Sequence, residues 1–167
     1  MSEERSGIQV GEQGGVILVR IEGKGTHLNS HLLKQYFLQC LNENHRFFKI
    51  DLSNCTYMDS TFLGMLAGIG IKVKERSFSP IKLINAIERV RSMFESLGID
   101  SLFEIIQKDH SSAPLNHLQG AEINEETRSR EMLEAHEKLV EISPSNEAKF
   151  RDVIGLLRKK PIKNRAI

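Results

Sequence analysis

Tyr57-Met58-Asp59-Ser60-Thr61-Phe62-Leu63-Gly64 closes a short apolar stretch and opens a run of helical periodicity. Asp59, Ser60 and Thr61 can each cap a helix N-terminus, a role worth about 1 kcal/mol. One polar residue suffices for a cap, and this segment supplies three. Free backbone N–H groups and the helix dipole favour an anion at such a position. A phosphate on either hydroxyl there adds about two negative charges. The stretch therefore predicts a strand, a short loop and a helix whose first turn carries a switchable hydroxyl.

Working outward, Phe47-Phe48-Lys49-Ile50-Asp51-Leu52 reads as the preceding strand, and a helix follows over residues 61–76. Leu63, Leu66, Ala67, Gly70 and Val73 form one stripe of that helix, suited to packing on a sheet. The small residues Gly64, Ala67, Gly68 and Gly70 permit close approach of a neighbour. Phe62, Met65 and Ile69 make a second stripe. Either the helix is buried on most sides, or this second stripe is a docking face beside the hydroxyls.

Toward the N-terminus, residues 8–10 and 16–21 are apolar runs separated by Gly11 and Gly14-Gly15, a hairpin signature. Gly23 and Gly25 are expected to break the second strand. A helix follows over residues 30–41, with Leu32, Leu33, Phe37, Cys40 and Leu41 in phase. Residues 80–84 form a further strand, 87–97 a helix stopped by Gly98, and 102–106 a last strand. The order β-β-α-β-α-β-α-β predicts an α/β domain over residues 1–109. Its mixed sheet comprises an N-terminal antiparallel hairpin followed by β-α-β units with parallel crossovers.

Residues 110–123 change to Ser, Ala, Pro, Asn and Gly and read as a linker. Residues 124–167 form a helical extension. One helix spans residues 125–142, with Leu133, His136 or Glu137, and Val140 in phase. Ser143-Pro144-Ser145 breaks it, and Ser145 is placed to cap a second helix reaching residue 159, with Phe150, Val153, Ile154 and Leu157 on its apolar face. Such a helical hairpin must bury its stripes against a second copy, elsewhere on the domain, or over the second stripe of the 61–76 helix.

The bulk numbers narrow the function. A net charge of +1 over 167 residues recruits neither nucleic acid nor membrane to the whole molecule. No apolar run reaches the roughly 18 residues of a spanning helix, and the first residues lack the apolar core of a signal peptide, so a cytoplasmic location is expected. Cys40 and Cys55 read as buried, reduced thiols. His27 and His31 have metal-pair spacing, but no acid or cysteine cluster completes a site, so no metal is expected. The basic end, Arg158-Lys159-Lys160 with Lys163 and Arg165, lacks interleaved aromatics and reads as a solvated tail. Phosphate-binding loops, dinucleotide fingerprints and nucleophile elbows are missing, and no catalytic residue or cofactor is assigned.

Three segments together resemble the STAS domain, the fold of bacterial anti-sigma factor antagonists and of sulphate-transporter tails. They are Ile50-Asp51-Leu52-Ser53-Asn54-Cys55-Thr56-Tyr57-Met58-Asp59-Ser60-Thr61, then Gly64-Met65-Leu66-Ala67-Gly68, and the closing Leu83-Ile84-Asn85 through Val90-Arg91 to Leu97-Gly98-Ile99 and Leu102-Phe103-Glu104-Ile105. The resemblance covers residues 7–108 and leaves the helical extension outside. It implies that Ser60 is the phospho-acceptor, with Asp59 as its neighbour in the partner contact and Thr61, the alternative acceptor, at the family's second hydroxyl position; the second stripe, read from its spacing, adds Phe62, Met65 and Ile69 to the expected partner-binding residues Asp59 and Thr61. That partner is an anti-sigma factor with serine kinase activity, held when Ser60 is free and released when it is phosphorylated, with a serine phosphatase resetting the switch. Phe62 stands where the family motif usually has glycine, and a phenylalanine there obstructs or replaces the close backbone contact that glycine allows. The competing expectation is a constitutive scaffold or accessory STAS subunit of a signalling complex or transporter.

Overall fold

The computed structural model describes residues 6–160. Strand β1 (Gly7–Gln13) turns through Gly14-Gly15 into β2 (Val16–Gly25), pairing antiparallel from Gly7↔Glu22 to Gln13↔Val16. Both turn glycines have positive φ, 61° and 79°, the geometry whose twist matches a two-residue hairpin. Helix α1 (Ser30–Asn42) leads to β3 (Phe47–Asp51), β4 (Cys55–Met58), α2 (Ser60–Glu75), β5 (Ile81–Ile84), α3 (Glu88–Ser96) and β6 (Phe103–Ile106). Two-residue β7 (Asn116–His117), α4 (Glu125–Ile142) and α5 (Asn146–Lys159) complete the chain. The sheet order is β6-β5-β3-β2-β1-β7, with β4 pairing β2 off that path. Beyond the hairpin, β2, β3, β5 and β6 run parallel, as the alternation of strands and helices predicts.

Three local expectations are corrected. Strand β2 does not end at Gly23: its register shifts between Gly23 and Lys24 and it continues to Gly25, now alongside β4. A glycine at φ 71° bends a strand rather than ending it, so β2 leaves β3 at Arg20↔Asp51 and takes up β4 at Gly23↔Cys55. Strand β4 itself lies inside the stretch read as a loop. Ser145 provides no side-chain cap to α5: it sits in helical geometry, and its hydroxyl pairs with that of Ser143 at 3.0 Å.

Alternate strand residues face the helices. Ile17, Val19 and Ile21 of β2, Phe48 and Ile50 of β3, and Ile81 and Leu83 of β5 pack with Leu33 and Phe37 of α1, Leu63, Leu66 and Val73 of α2, and Val90 and Phe94 of α3. Period-2 alternation then places Arg20, Lys49 and Asp51 on the opposite face, where Arg20 and Asp51 pair at 3.1 Å. Cys40 and Cys55 are buried free thiols, and burial pushes Cys55 up to about 11.

The segment expected to be a linker is a strap across that polar face. Lys49 Nζ donates to Asp109 Oδ2 at 3.0 Å and to Ser111 Oγ at 2.6 Å. Asn85 Nδ2 donates to the Asp109 carbonyl at 2.8 Å, and its Oδ1 accepts the Asp109 N–H at 2.9 Å. The chain then crosses to the far edge, where β7 pairs with β1. Hydrogen bonds from Ser111, together with the Lys49 ammonium, hold the Asp109 carboxyl down at about 2 against the opposing effect of burial.

A carboxyl depressed in the folded state stabilises above its unfolded value of about 3.9, and that contribution fades as pH falls toward 2. We expect Asp109→Asn to remove this component and make acid unfolding shallower between about pH 4 and 2, as followed by far-ultraviolet circular dichroism.

Candidate functional site

The site is assembled where β2 and β4 end and α2 begins. Asp59 leaves β4 in extended geometry, its N–H donating to the Gly25 carbonyl at 2.9 Å. Its Oδ1 accepts the Phe62 N–H at 2.8 Å, the N-cap bond of α2. Its Oδ2 accepts the His27 N–H at 2.8 Å and lies 3.2 Å from His27 Nδ1. A single carboxylate thus caps the helix and ties the loop between β2 and α1 to its first turn.

Ser60 is the first residue of α2 and is half-buried. Its hydroxyl meets His136 Nε2 of α4 at 2.8 Å. The His136 ring is only 3% exposed, and its Nδ1 lies 2.6 Å from the Met132 carbonyl. A carbonyl only accepts, so Nδ1 carries the proton; in the neutral ring Nε2 is then the acceptor and Ser60 donates. The Phe150 ring of α5 stands edge-on to His136 at 5.1 Å, which links both tail helices to the serine.

The remaining expected contact residues are placed inside. Thr61 is buried. Phe62 is fully buried, its ring against Gly25: a Cβ there would lie 2.8 Å from it. The phenylalanine is a floor beneath the first turn of α2, and in this state it does not project with Met65 and Ile69 as a surface stripe. Met65 and Ile69 are also buried and line a cavity of about 140 Å³ between α1, α2 and α4, shared with Lys34, Lys72 and Lys138.

Helix α4 covers this region at close range. A Cβ built on Gly64 would stand 2.4 Å from the Ala135 carbonyl oxygen, so only glycine admits α4 at this distance. Ionic contacts flank the crossing: Glu131 lies 2.7 Å from His31 Nδ1 and 3.7 Å from Lys34 Nζ, and Glu134 lies 3.4 Å from Lys34. His27 and His31 therefore serve separate carboxylates. Among the described residues no cluster of three or more His, Cys, Asp or Glu side chains forms a metal site. At the basic end, Arg158 pairs with Glu137 at 3.2 Å and Lys160 with Glu125 at 3.6 Å, while Lys163 and Arg165 lie outside the described residues.

His136 is the site residue that sequence reasoning gave no role. Its one signal was a histidine in the apolar phase of an otherwise charge-rich helix. Leu28 and Tyr57, exposed apolar side chains on the segments flanking Asp59, were also passed over.

Two substitutions test this geometry by urea unfolding. Phe62→Ala empties a core position and is expected to cost about 3–5 kcal/mol. Ser60→Ala leaves buried Nε2 without its donor and is expected to cost about 1–3 kcal/mol; an unchanged stability would mean that the hydroxyl is not engaged.

The family model described as "Mlab, STAS domain" matches residues 8–107, more than half of the chain. Among solved structures, a putative anti-sigma factor antagonist from Thermotoga maritima aligns with TM-score 0.55 at 20% identity, over 59% of this chain and 85% of that one. The anti-sigma factor antagonist SpoIIAA in its unphosphorylated form aligns with TM-score 0.51 at 13% identity, over 62% and 89%. SpoIIAA of Bacillus in its phosphorylated form aligns with TM-score 0.50 at 14% identity, over 59% and 89%. At these identities the likeness is one of fold. No curated protein matches. The hairpin, the parallel crossovers and the serine opening α2 lie within the matched residues, and α4 and α5 lie beyond them: the chain belongs to the STAS domain family and carries a helical extension of its own.

Proposed function

We propose that this protein is a cytoplasmic anti-sigma factor antagonist of a bacterium, a phosphorylation-controlled binding module without catalytic activity. The observation that carries the reading is the placement of Ser60. Its hydroxyl opens α2, beside an aspartate that caps the helix and anchors the neighbouring loop. The unphosphorylated form binds an anti-sigma factor with serine kinase activity and frees a sigma factor for transcription. Phosphate on Ser60, or on Thr61 in the alternative, adds charge to an apolar contact face, and repulsion with desolvation ejects the partner. A serine phosphatase reverses the change. ATP is the kinase's substrate, so this chain needs no cofactor.

In the contact, Asp59 and Ser60 form the polar centre, and Thr61, Met65 and Ile69 the adjoining face of α2. Phe62 supports them from within. Among the described residues no helix is long and apolar enough to cross a membrane.

One observation favours a second reading. The Ser60 hydroxyl is engaged by His136 and the face beside it is covered by α4, as suits a constitutive accessory STAS subunit of a signalling complex or transporter. Affinity capture from the native lysate with Ser60→Ala and Ser60→Asp baits separates the two. An ATP-binding serine kinase retained by the alanine form and lost by the aspartate form is the expected result. Identical partners on both baits would reject the switch in favour of the accessory subunit.

A further inference from the structure

The α1–α2 surface beside Ser60 is occupied by α4, a segment from outside the matched family domain. We propose that this surface is a docking groove for an acidic amphipathic helix, that α4 occupies it in cis as a displaceable latch, and that a partner helix of the same chemistry takes its place. This deepens the reading of Ser60 as a controlled contact site and rests on it for the biological role, though not for the physical exchange.

The groove has three elements of recognition. His31 and Lys34 of α1 meet two acidic residues one turn apart, Glu131 and Glu134. Gly64 of α2 demands a small residue at closest approach, supplied by Ala135. Ser60 meets a polar residue immediately after it, His136. The sequence Glu131-Met132-Leu133-Glu134-Ala135-His136 with Leu139 one turn on is thus the pattern a partner helix would present.

The seat is built for release. Only Ala135, His136 and Leu139 of the 18 residues of α4 are buried. Polar and ionic contacts supply much of the remainder, and such pairs contribute little where water reaches them. Beside Met65 and Ile69 a cavity of about 140 Å³ remains between α1, α2 and α4, so α4 does not close fully over this face. A phosphoryl group on Oγ would replace the proton that Ser60 donates to Nε2 across the 2.8 Å bond, removing that bond. Docking of α4 and phosphorylation of Ser60 therefore compete for the same hydroxyl.

The test uses the full chain with a substitution in α4 alone, so that the groove stays native. Ala135→Leu drives four carbons against Gly64 and is expected to raise hydrogen-exchange rates of the α4 amides about tenfold or more while β2, β3 and β5 stay protected. A fluorescent synthetic peptide of residues 124–142 with the natural sequence should then bind the Ala135→Leu protein and not the wild type, whose groove is filled. Gly64→Ala, which blocks the groove from the other side, should free α4 yet abolish peptide binding. The proposal is overturned if α4 stays protected in both variants. It is equally overturned if α4 is released but the peptide does not bind Ala135→Leu. These readouts involve no kinase, so they can succeed while the capture experiment fails, and the reverse.

Discussion

The site depends on one carboxylate. Asp59 stands between β4 and α2, and its two oxygens accept N–H groups from different parts of the chain, Phe62 at 2.8 Å and His27 at 2.8 Å. The first bond sets the helix start, and with it the direction in which Ser60 points. The second fixes the loop from which α1 departs, and with it the positions of His31 and Lys34. A charged acceptor holding two backbone donors is among the stronger polar arrangements available to a protein. Beneath it, the fully buried Phe62 ring fills the space that Gly25 leaves free. Together they fix the geometry in which the hydroxyl is presented.

What lies over this hydroxyl is held by a different balance of forces. The α/β core is apolar and interlocked, while the tail joins it through Leu139, with Ile142 and Phe150 packed alongside, and otherwise rests on a close glycine–alanine crossing, a buried serine–histidine bond and flanking ion pairs. The hinge end of the tail is firmer. Asn146 is fully buried and its Nδ2 donates to the Leu97 and Leu139 carbonyls at 2.9 Å each, fastening the turn between α4 and α5 to the end of α3. A tail fixed at its turn and lightly seated over Ser60 is a reasonable construction for a cover that opens locally, since regions with few buried apolar contacts open at lower free energy than the core.

Much of the fold was legible in the sequence because periodicity and punctuation agreed. The Gly14-Gly15 hairpin, the strand at Phe48 and Ile50, and the stripe of Leu63, Leu66 and Val73 each carry their signal within a few residues. The boundaries of α4 and α5 were readable from charge-rich helical phase and the Ser-Pro-Ser break. Strand β4 was missed because it is four residues long with only Cys55 and Met58 buried, too short for alternation to register. Strand β7 depends on pairing with β1, a long-range partner that composition does not reveal. At the site, Asp59 and Ser60 announced themselves as polar residues after a strand. Phe62 was read as part of a second stripe, either buried or a docking face, because periodicity does not distinguish a ring facing a glycine from one facing solvent. His136 lies 76 positions from Ser60, and nothing local marks such a pairing.

Closure of α4 over Ser60 through His136 is read out by a long-range proton–nitrogen correlation spectrum of the imidazoles. The expected result is a proton on His136 Nδ1, held by the Met132 carbonyl, and an Nε2 resonance that shifts in Ser60→Ala while the other histidines stay in place. A His136 whose resonances match a solvent-exposed histidine and ignore the loss of the hydroxyl would contradict it.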